Sequence, residues 1–455
     1  MTEQSKDQQN FIKMTTSPIP VLVSTLAVPT IISMLVTAIY NMADTYFVSQ
    51  LGTSAAGAVG IVFSLMAIIQ AVGFTLGMGS GSLISRMLGQ KMSTEASRTA
   101  SSAFFASLLF GLLLTVSGLL FLNPLMNLLG ATPTILPYAR DYARYILLGA
   151  PLMCASFVLN NILRAEGKAI LSMFGIAAGG LLNIALDPLF IFVFDMGISG
   201  AAIATLISQC ISFVLLAGCF IFNKTLMKLS LHYVSRKPSV YGKIIQVGFP
   251  SFCRQGLASI ATVALNRSAA VYGDPAVAAM SIVGKIFMMI LSIMIGFGQG
   301  FQPVVGFNYG AGRYDRVKEA VTFSLKAGFI IMTVLGAAGF LLAPELIALF
   351  RRSDPDVIAI GSYAFRAQCL VLPLFPLGVI CNMTFQVLGK HSAATFLSAA
   401  RQGIFFLPLI LILPSLLHLR GIQLTQPLAD LLTFFCCFPF LIPFLKELNR
   451  QIASQ

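Results

Sequence analysis

The sequence predicts an all-α polytopic membrane protein, with twelve transmembrane helices in two pseudo-symmetric six-helix lobes. Three observations predict it. The 455 residues are 57% apolar and only 10% charged, with a mean hydropathy of +0.87; soluble domains run at about 45–50% and about 25%. Apolar runs of membrane-crossing length recur along the whole chain. The second half also repeats the first.

Runs separated by Gly, Pro, Asn or charge place spans at 21–48, 58–83, 100–121, 138–160, 170–192 and 200–222 in an N-lobe of residues 21–222. A second set at 246–271, 277–303, 320–343, 357–386, 392–415 and 425–445 forms a C-lobe of residues 246–445. Each run can cross a hydrocarbon core of about 30 Å at ~1.5 Å per residue. A membrane barrel would instead show alternating segments of roughly 10 residues. Residues 1–20 are polar and lack the apolar core of a signal peptide, so they read as a cytoplasmic N-terminal segment. Residues 223–245 read as a cytoplasmic linker and 446–455 as a cytoplasmic tail.

The charges set the orientation. Most of the 29 Lys and Arg residues fall in the segments on the side of the termini, among them Arg86, Lys91, Arg98, Arg164 and Lys168, and Arg236, Lys237 and Lys243 in the linker. The other side and its flanks carry Arg140, Arg144, Arg351, Arg352, Arg366 and Arg420, while Arg254, Arg267, Lys285 and Arg401 lie within spans. The positive-inside rule then puts both termini in the cytoplasm of a cell whose cytoplasmic (inner) membrane holds the chain. The net charge of +13 is thereby explained by topology and anionic lipid rather than by nucleic acid.

The halves repeat at one offset. Val28-Pro29 matches Phe249-Pro250, an offset of 221, and the same offset pairs Gly52 with Gly273, Gly77 with Gly298, Gly79 with Gly300 and Gly89 with Gly310. An even number of spans per half gives the two lobes the same orientation, related by an axis along the membrane normal with a cavity between them.

Few residues can carry chemistry. Asp44 and Asp187 sit well inside spans, whereas Asp430 falls near the edge of the last span and is expected to be solvated. An acid inside the membrane is costly and functional by default. Asp44, Asp187 and Thr205 lie at one depth, in the outer third of the N-lobe, and Asn183 shares a helix face with Asp187 four residues on. Two carboxylates, an amide oxygen and a hydroxyl are hard ligands for Na⁺ or a shared proton; the alternative is that they only bond neighbouring helices. Pro188 can kink the fifth span and free carbonyls for the same site. At offset 221 Asp44 becomes Leu265 and Asp187 becomes Pro408, so the C-lobe does not repeat this site. Its deep cations, Lys285 and Arg401, either meet anionic groups of a substrate or pair with polar neighbours. No GxxxxGK[ST] loop exists for ATP, and the three histidines and eight cysteines lack metal-ligand spacing, so no cofactor and no enzymatic chemistry are expected.

Tyr40-Asn41-Met42-Ala43-Asp44-Thr45-Tyr46-Phe47-Val48 followed by Leu51-Gly52, Leu182-Asn183-Ile184-Ala185-Leu186-Asp187-Pro188 and Tyr309-Gly310-Ala311-Gly312 resemble the multidrug and toxic compound extrusion (MATE) family, in its prokaryotic DinF/MepA-like branch. The resemblance covers roughly residues 15–445. It implies the MATE fold and an antiporter exporting amphipathic, mostly cationic drug-like molecules while Na⁺ or H⁺ enters. It also implies alternating access between the lobes. Within that branch the N-lobe cation site corresponds to Asp44, Asn183, Asp187 and Thr205, with Tyr142 and Asn160 in an adjoining polar network. Another branch uses acids in the C-lobe, and none is expected in those spans here. The expected state is a monomer in the lipid bilayer, without ATP. The rival reading is a flippase or exporter of a lipid-linked or otherwise anionic precursor, held by Lys285 and Arg401.

Overall fold

The computed structural model describes residues 3–350 and 354–454, and all regular structure in them is helical. Arg351 and Arg352 lie outside the described residues. The N-terminal half comprises α1 (Glu3–Thr16), α2 (Ile19–Ser49), α3 (Thr53–Gly89), α4 (Ser93–Leu120), α5 (Leu122–Leu128), α6 (Leu136–Ala165), α7 (Ala169–Pro188) continued by a π turn (Leu189–Val193), and α8 (Gly197–Ile221). The second half comprises α9 (Pro238–Ala270), α10 (Asp274–Gly310), α11 (Tyr314–Leu341), α12 (Ala343–Phe350), α13 (Pro355–Val371), α14 (Phe375–Leu388), α15 (His391–Ala399) with a π turn (Ala400–Phe406), α16 (Leu407–Leu417) and α17 (Leu419–Ala453). Each of the twelve expected spans falls on one of these long helical segments. Eleven segments are long and apolar enough to cross a membrane among the described residues. The remaining one, α9, has 33 residues but is diluted by Gln246, Arg254 and Gln255.

The repeat governs the architecture down to element ends. α3 and α10 both have 37 residues, α4 and α11 both have 28, and each pair starts and stops at the offset read from the sequence. Gly52 and Gly273 precede α3 and α10 with φ of +117° and +92°, a region that glycine enters without penalty. Helices α2–α8 pack into one lobe and α9–α17 into the other, and the lobes meet along α2, α3, α9 and α10.

Glycines mark the seam between the lobes. A Cβ on Gly79 would run into the Ile244 carbonyl, and one on its repeat mate Gly300 into Ala27. A Cβ on Gly89 would meet the Phe307 carbonyl, and one on Gly310 the Arg86 carbonyl. These contacts are related by the same internal two-fold and lie toward the face that carries both termini. On that face Arg86 Nη1 donates to the Leu388 carbonyl at 3.0 Å. Arg164, only 3% exposed, donates to Gln299 across the seam and to Asn161 Oδ1 at 2.7 Å. The lobes are thus closed on the terminal face.

Two further parts tie that face together. Helix α1 buries Met14 and Thr15 and touches both lobes: Ser93 Oγ donates to Asp7 at 2.9 Å, Lys91 lies over the Phe11 ring at 4.6 Å, and Asn308 Nδ2 donates to the Met14 carbonyl at 3.1 Å. Arg316 donates to the Ser17 carbonyl at 2.6 Å. The polar composition of this segment concealed a docked helix with one apolar edge. The segment after α8 is fastened to the N-lobe by the buried Glu166, whose carboxylate accepts from the Leu226 and Met227 amides at 2.8 and 3.0 Å and from Lys168 at 2.9 Å. Burial pushes its carboxyl above the ordinary range, opposed by Lys168 and the two amides. Ser97, Ser101 and Ser102 accept from the amides of Lys228, Ser230 and Ser235, so only Arg236 and Lys237 stand between the last of these bonds and α9.

Gly79→Val should therefore destabilise the protein in detergent by about 1–3 kcal/mol through overpacking, whereas Gly242→Val, with open space at its Cβ, should leave Tm within a degree or so of the wild type. Equal Tm values for the two variants would contradict the backbone contact. Glu166→Ala should strand two buried amides at about 1–3 kcal/mol and speed tryptic cleavage at Lys228; unchanged cleavage would show that the serines alone hold the segment.

Candidate functional site

The site assembles from four helices of the N-lobe. Asp44, near the end of α2, is 8% exposed, and Asp187, in the last turn of α7, is fully buried. Tyr142 on α6, also fully buried, donates its hydroxyl to Asp44 Oδ2 at 3.0 Å. Asn183, one turn before Asp187, donates Nδ2 to Asp187 Oδ1 at 3.1 Å and to Thr205 Oγ1 of α8 at 3.3 Å. Asp187 and Thr205 lie within electrostatic reach of the same tyrosine.

Local sequence explains the placement. Asn183 and Asp187 share a face because they are one helical turn apart. Pro188 ends the regular α7 ladder, and the chain continues as a π turn, the kind of bulge that often marks functional helices. Small residues let α7 sit close to its neighbours: a Cβ on Gly179 would clash with Ser212 of α8, and one on Gly180 with Val36 of α2.

Donors and acceptors do not balance here. Asp44 Oδ1, Asn183 Oδ1 and Asp187 Oδ2 are buried and accept no hydrogen bond. Among the described residues no Lys, Arg or His pairs with either carboxylate. Unpaired acceptors in such surroundings are costly, so the three oxygens suit a small hard cation or protons brought from outside. A transition metal is a poor fit, since no group of three His, Cys, Asp or Glu side chains gathers among the described residues.

Other residues are placed differently. Asn160 donates Nδ2 to Ser172 Oγ at 2.5 Å. It stands eighteen residues along α6 from Tyr142, about 27 Å at helical rise, and so outside this cluster. Lys285 on α10 is exposed and pairs with no described residue. Arg401 lies in the π turn before α16 and is bonded to Asp430 at 2.6 Å. That pairing corrects the expectation for Asp430: it is 5% exposed, not solvated, and the C-lobe does hold an acid within its helices. The span estimate began at residue 425, but α17 begins at Leu419, which sets Asp430 about 16 Å inside the helix. The basic Arg401 in the preceding span was the available signal.

Comparison with known proteins matches this geometry to a family. A family model described as MatE matches twice, over residues 29–189 and 250–412, reproducing the internal repeat. The multidrug export protein MepA of Staphylococcus saprophyticus subsp. saprophyticus is 27% identical over 405 residues, covering 89% of each chain. A crystal structure of a MATE protein in complex with MaL6 superposes with a TM-score of 0.92 at 28% identity, covering 96% of this chain and 99% of that one. An outward-facing multidrug resistance MATE transporter of the MOP superfamily superposes with a TM-score of 0.90 at 28% identity, over 96% and 99% of the two chains. With a two-lobed helical fold, a doubled family match and full-length likeness to these structures, the chain belongs to the MatE family.

Proposed function

We propose that this protein is a secondary active multidrug efflux antiporter of the cytoplasmic membrane, exporting amphipathic, mostly cationic compounds in exchange for Na⁺ or H⁺. The observation that carries the reading is the trio of unpaired buried oxygens on Asp44, Asn183 and Asp187. Their partner must come and go, because no cation of the protein fills the place. The names of the similar proteins, a multidrug export protein and a multidrug resistance transporter, support the substrate class.

The seam supplies the cycle. With the lobes closed on the terminal face, which is the cytoplasmic face in this reading, the cleft opens outward. An entering cation offsets the negative charge shared by Asp44 and Asp187 and lowers the cost of the unpaired acceptors. It drives the lobes toward the inward-open form only in proportion to its preference for that form. Drug then binds from the cytoplasm, the ion leaves inward, and the emptied site favours return to the closed terminal face. Tyr142 and Thr205 hold the carboxylate and amide in place through hydrogen bonds and need not change charge. The flippase reading rested on two cations facing a substrate; Arg401 is already neutralised by Asp430, which weakens it.

In proteoliposomes loaded with a fluorescent lipophilic cation, a pH or a Na⁺ gradient imposed separately should drive movement, and Asp187→Asn should abolish it while the protein stays monodisperse. Wild-type transport by that variant would overturn the coupling role. Thr205→Val keeps shape and removes the hydroxyl that accepts from Asn183; it should cost about 1 kcal/mol, read as a roughly fivefold rise in the ion concentration for half-maximal rate. An unchanged half-maximal concentration would remove Thr205 from the site.

A further inference from the structure

The C-lobe contains a second buried charge cluster, of a different construction. Asp430 exposes 2% of its side chain and Arg401 exposes 16%. Arg401 donates Nε to Asp430 Oδ1 at 2.6 Å and Nη2 to Oδ2 at 3.4 Å. Its guanidinium lies 4.7 Å from the Phe375 ring centroid and 5.3 Å from that of Phe287. Gln368 and Gln426 donate to the two carboxylate oxygens at 2.5 and 3.0 Å. Gln368 Oε1 is buried and has no partner, and Arg401 Nη1 bonds to no described residue. The cluster therefore has a reachable cation, a deep anion, two aromatic faces and an unused acceptor.

Charge balance selects what could enter. A buried ion pair adds little stability over an apolar pair of the same shape, whereas removing one partner is expensive. A purely cationic ligand at Asp430 would leave Arg401 uncompensated, and an anion at Arg401 would leave Asp430 so. A zwitterion satisfies both: its ammonium takes the place of the guanidinium beside Asp430 and Gln368 Oε1, and its carboxylate takes Arg401 as that side chain swings toward the exposed side. An aromatic body then replaces the guanidinium on Phe287 and Phe375.

We propose that the Arg401–Asp430 pair is a binding site for zwitterionic aromatic amphipaths, opened by the ligand and reclosed on its release. This rests on the exporter reading above and adds a binding place in the second lobe. It also assigns the two lobes separate duties, ion at Asp44 and Asp187, zwitterion at Arg401 and Asp430.

The test uses one fluorescent aromatic amino acid and its methyl ester, which keeps the ammonium and loses the carboxylate. Transport of both is measured in proteoliposomes with the full-length wild type, Arg401→Gln, and the paired Arg401→Met, Asp430→Leu replacement, which retains an apolar contact if the single variant misfolds. The KM of the zwitterion should rise at least tenfold relative to that of its ester in both variants. KM values that rise together, or stay unchanged, would reduce the pair to a helix-packing contact and overturn the proposal. Equilibrium dialysis of the zwitterion against detergent-solubilised protein reads the site without transport. Equal binding by wild type and the paired variant overturns it, whereas tenfold weaker binding by that variant supports it even if neither compound is transported, an outcome that would count against the exporter reading instead.

Discussion

Everything in this molecule hangs on backbone touching backbone at four glycines. Gly79 brings α3 against α9, Gly300 brings α10 against α2, and Gly89 and Gly310 bring α3 and α10 together, so closely that a single added carbon would strike backbone. In a bilayer, lipid tails compete equally for apolar side chains, so such close approaches supply much of helix association. The seam they form is narrow, two-fold symmetric and confined toward one face. In the proposed cycle the lobes rock about this seam as two bodies.

The duplication was visible in the chain because glycine and proline leave marks that side-chain drift does not erase. One offset fixed the matching lengths of α3 and α10 and the positive-φ glycines before them. Asp44 and Asp187 were legible for a related reason: an acid amid apolar residues stands out, and depth along a helix follows from its rise. Only the resemblance joins Asn160 to Tyr142, although eighteen residues on one helix already set them about 27 Å apart. Depth could not place Asp430, because the start of α17 is set by the turn at His418 (φ 53°) rather than by hydropathy. The docking of α1 depends on Phe11 and Met14 finding α10, with Met14 and its partner Asn308 lying 294 residues apart.

The two lobes solve one electrostatic problem in opposite ways. The N-lobe keeps two carboxylates and leaves oxygens unpaired, which the proposed function completes with an ion from outside. The C-lobe carries its own guanidinium and is neutral as built. A duplicated fold has thus become asymmetric in charge while staying symmetric in backbone, with both polar clusters supported by π turns, after α7 and after α15.

Helix α1 has a consequence for how the protein is made. It is synthesised long before Asn308 and Arg316, which hold Met14 and Ser17 and follow only after the whole N-lobe has been inserted. Until then Phe11 and Met14 have no C-lobe surface to cover them. The seating of this helix therefore records that α10 and α11 are in place beside the N-lobe, and a chain truncated or stalled before them carries an uncovered apolar edge that quality-control proteases and chaperones can recognise.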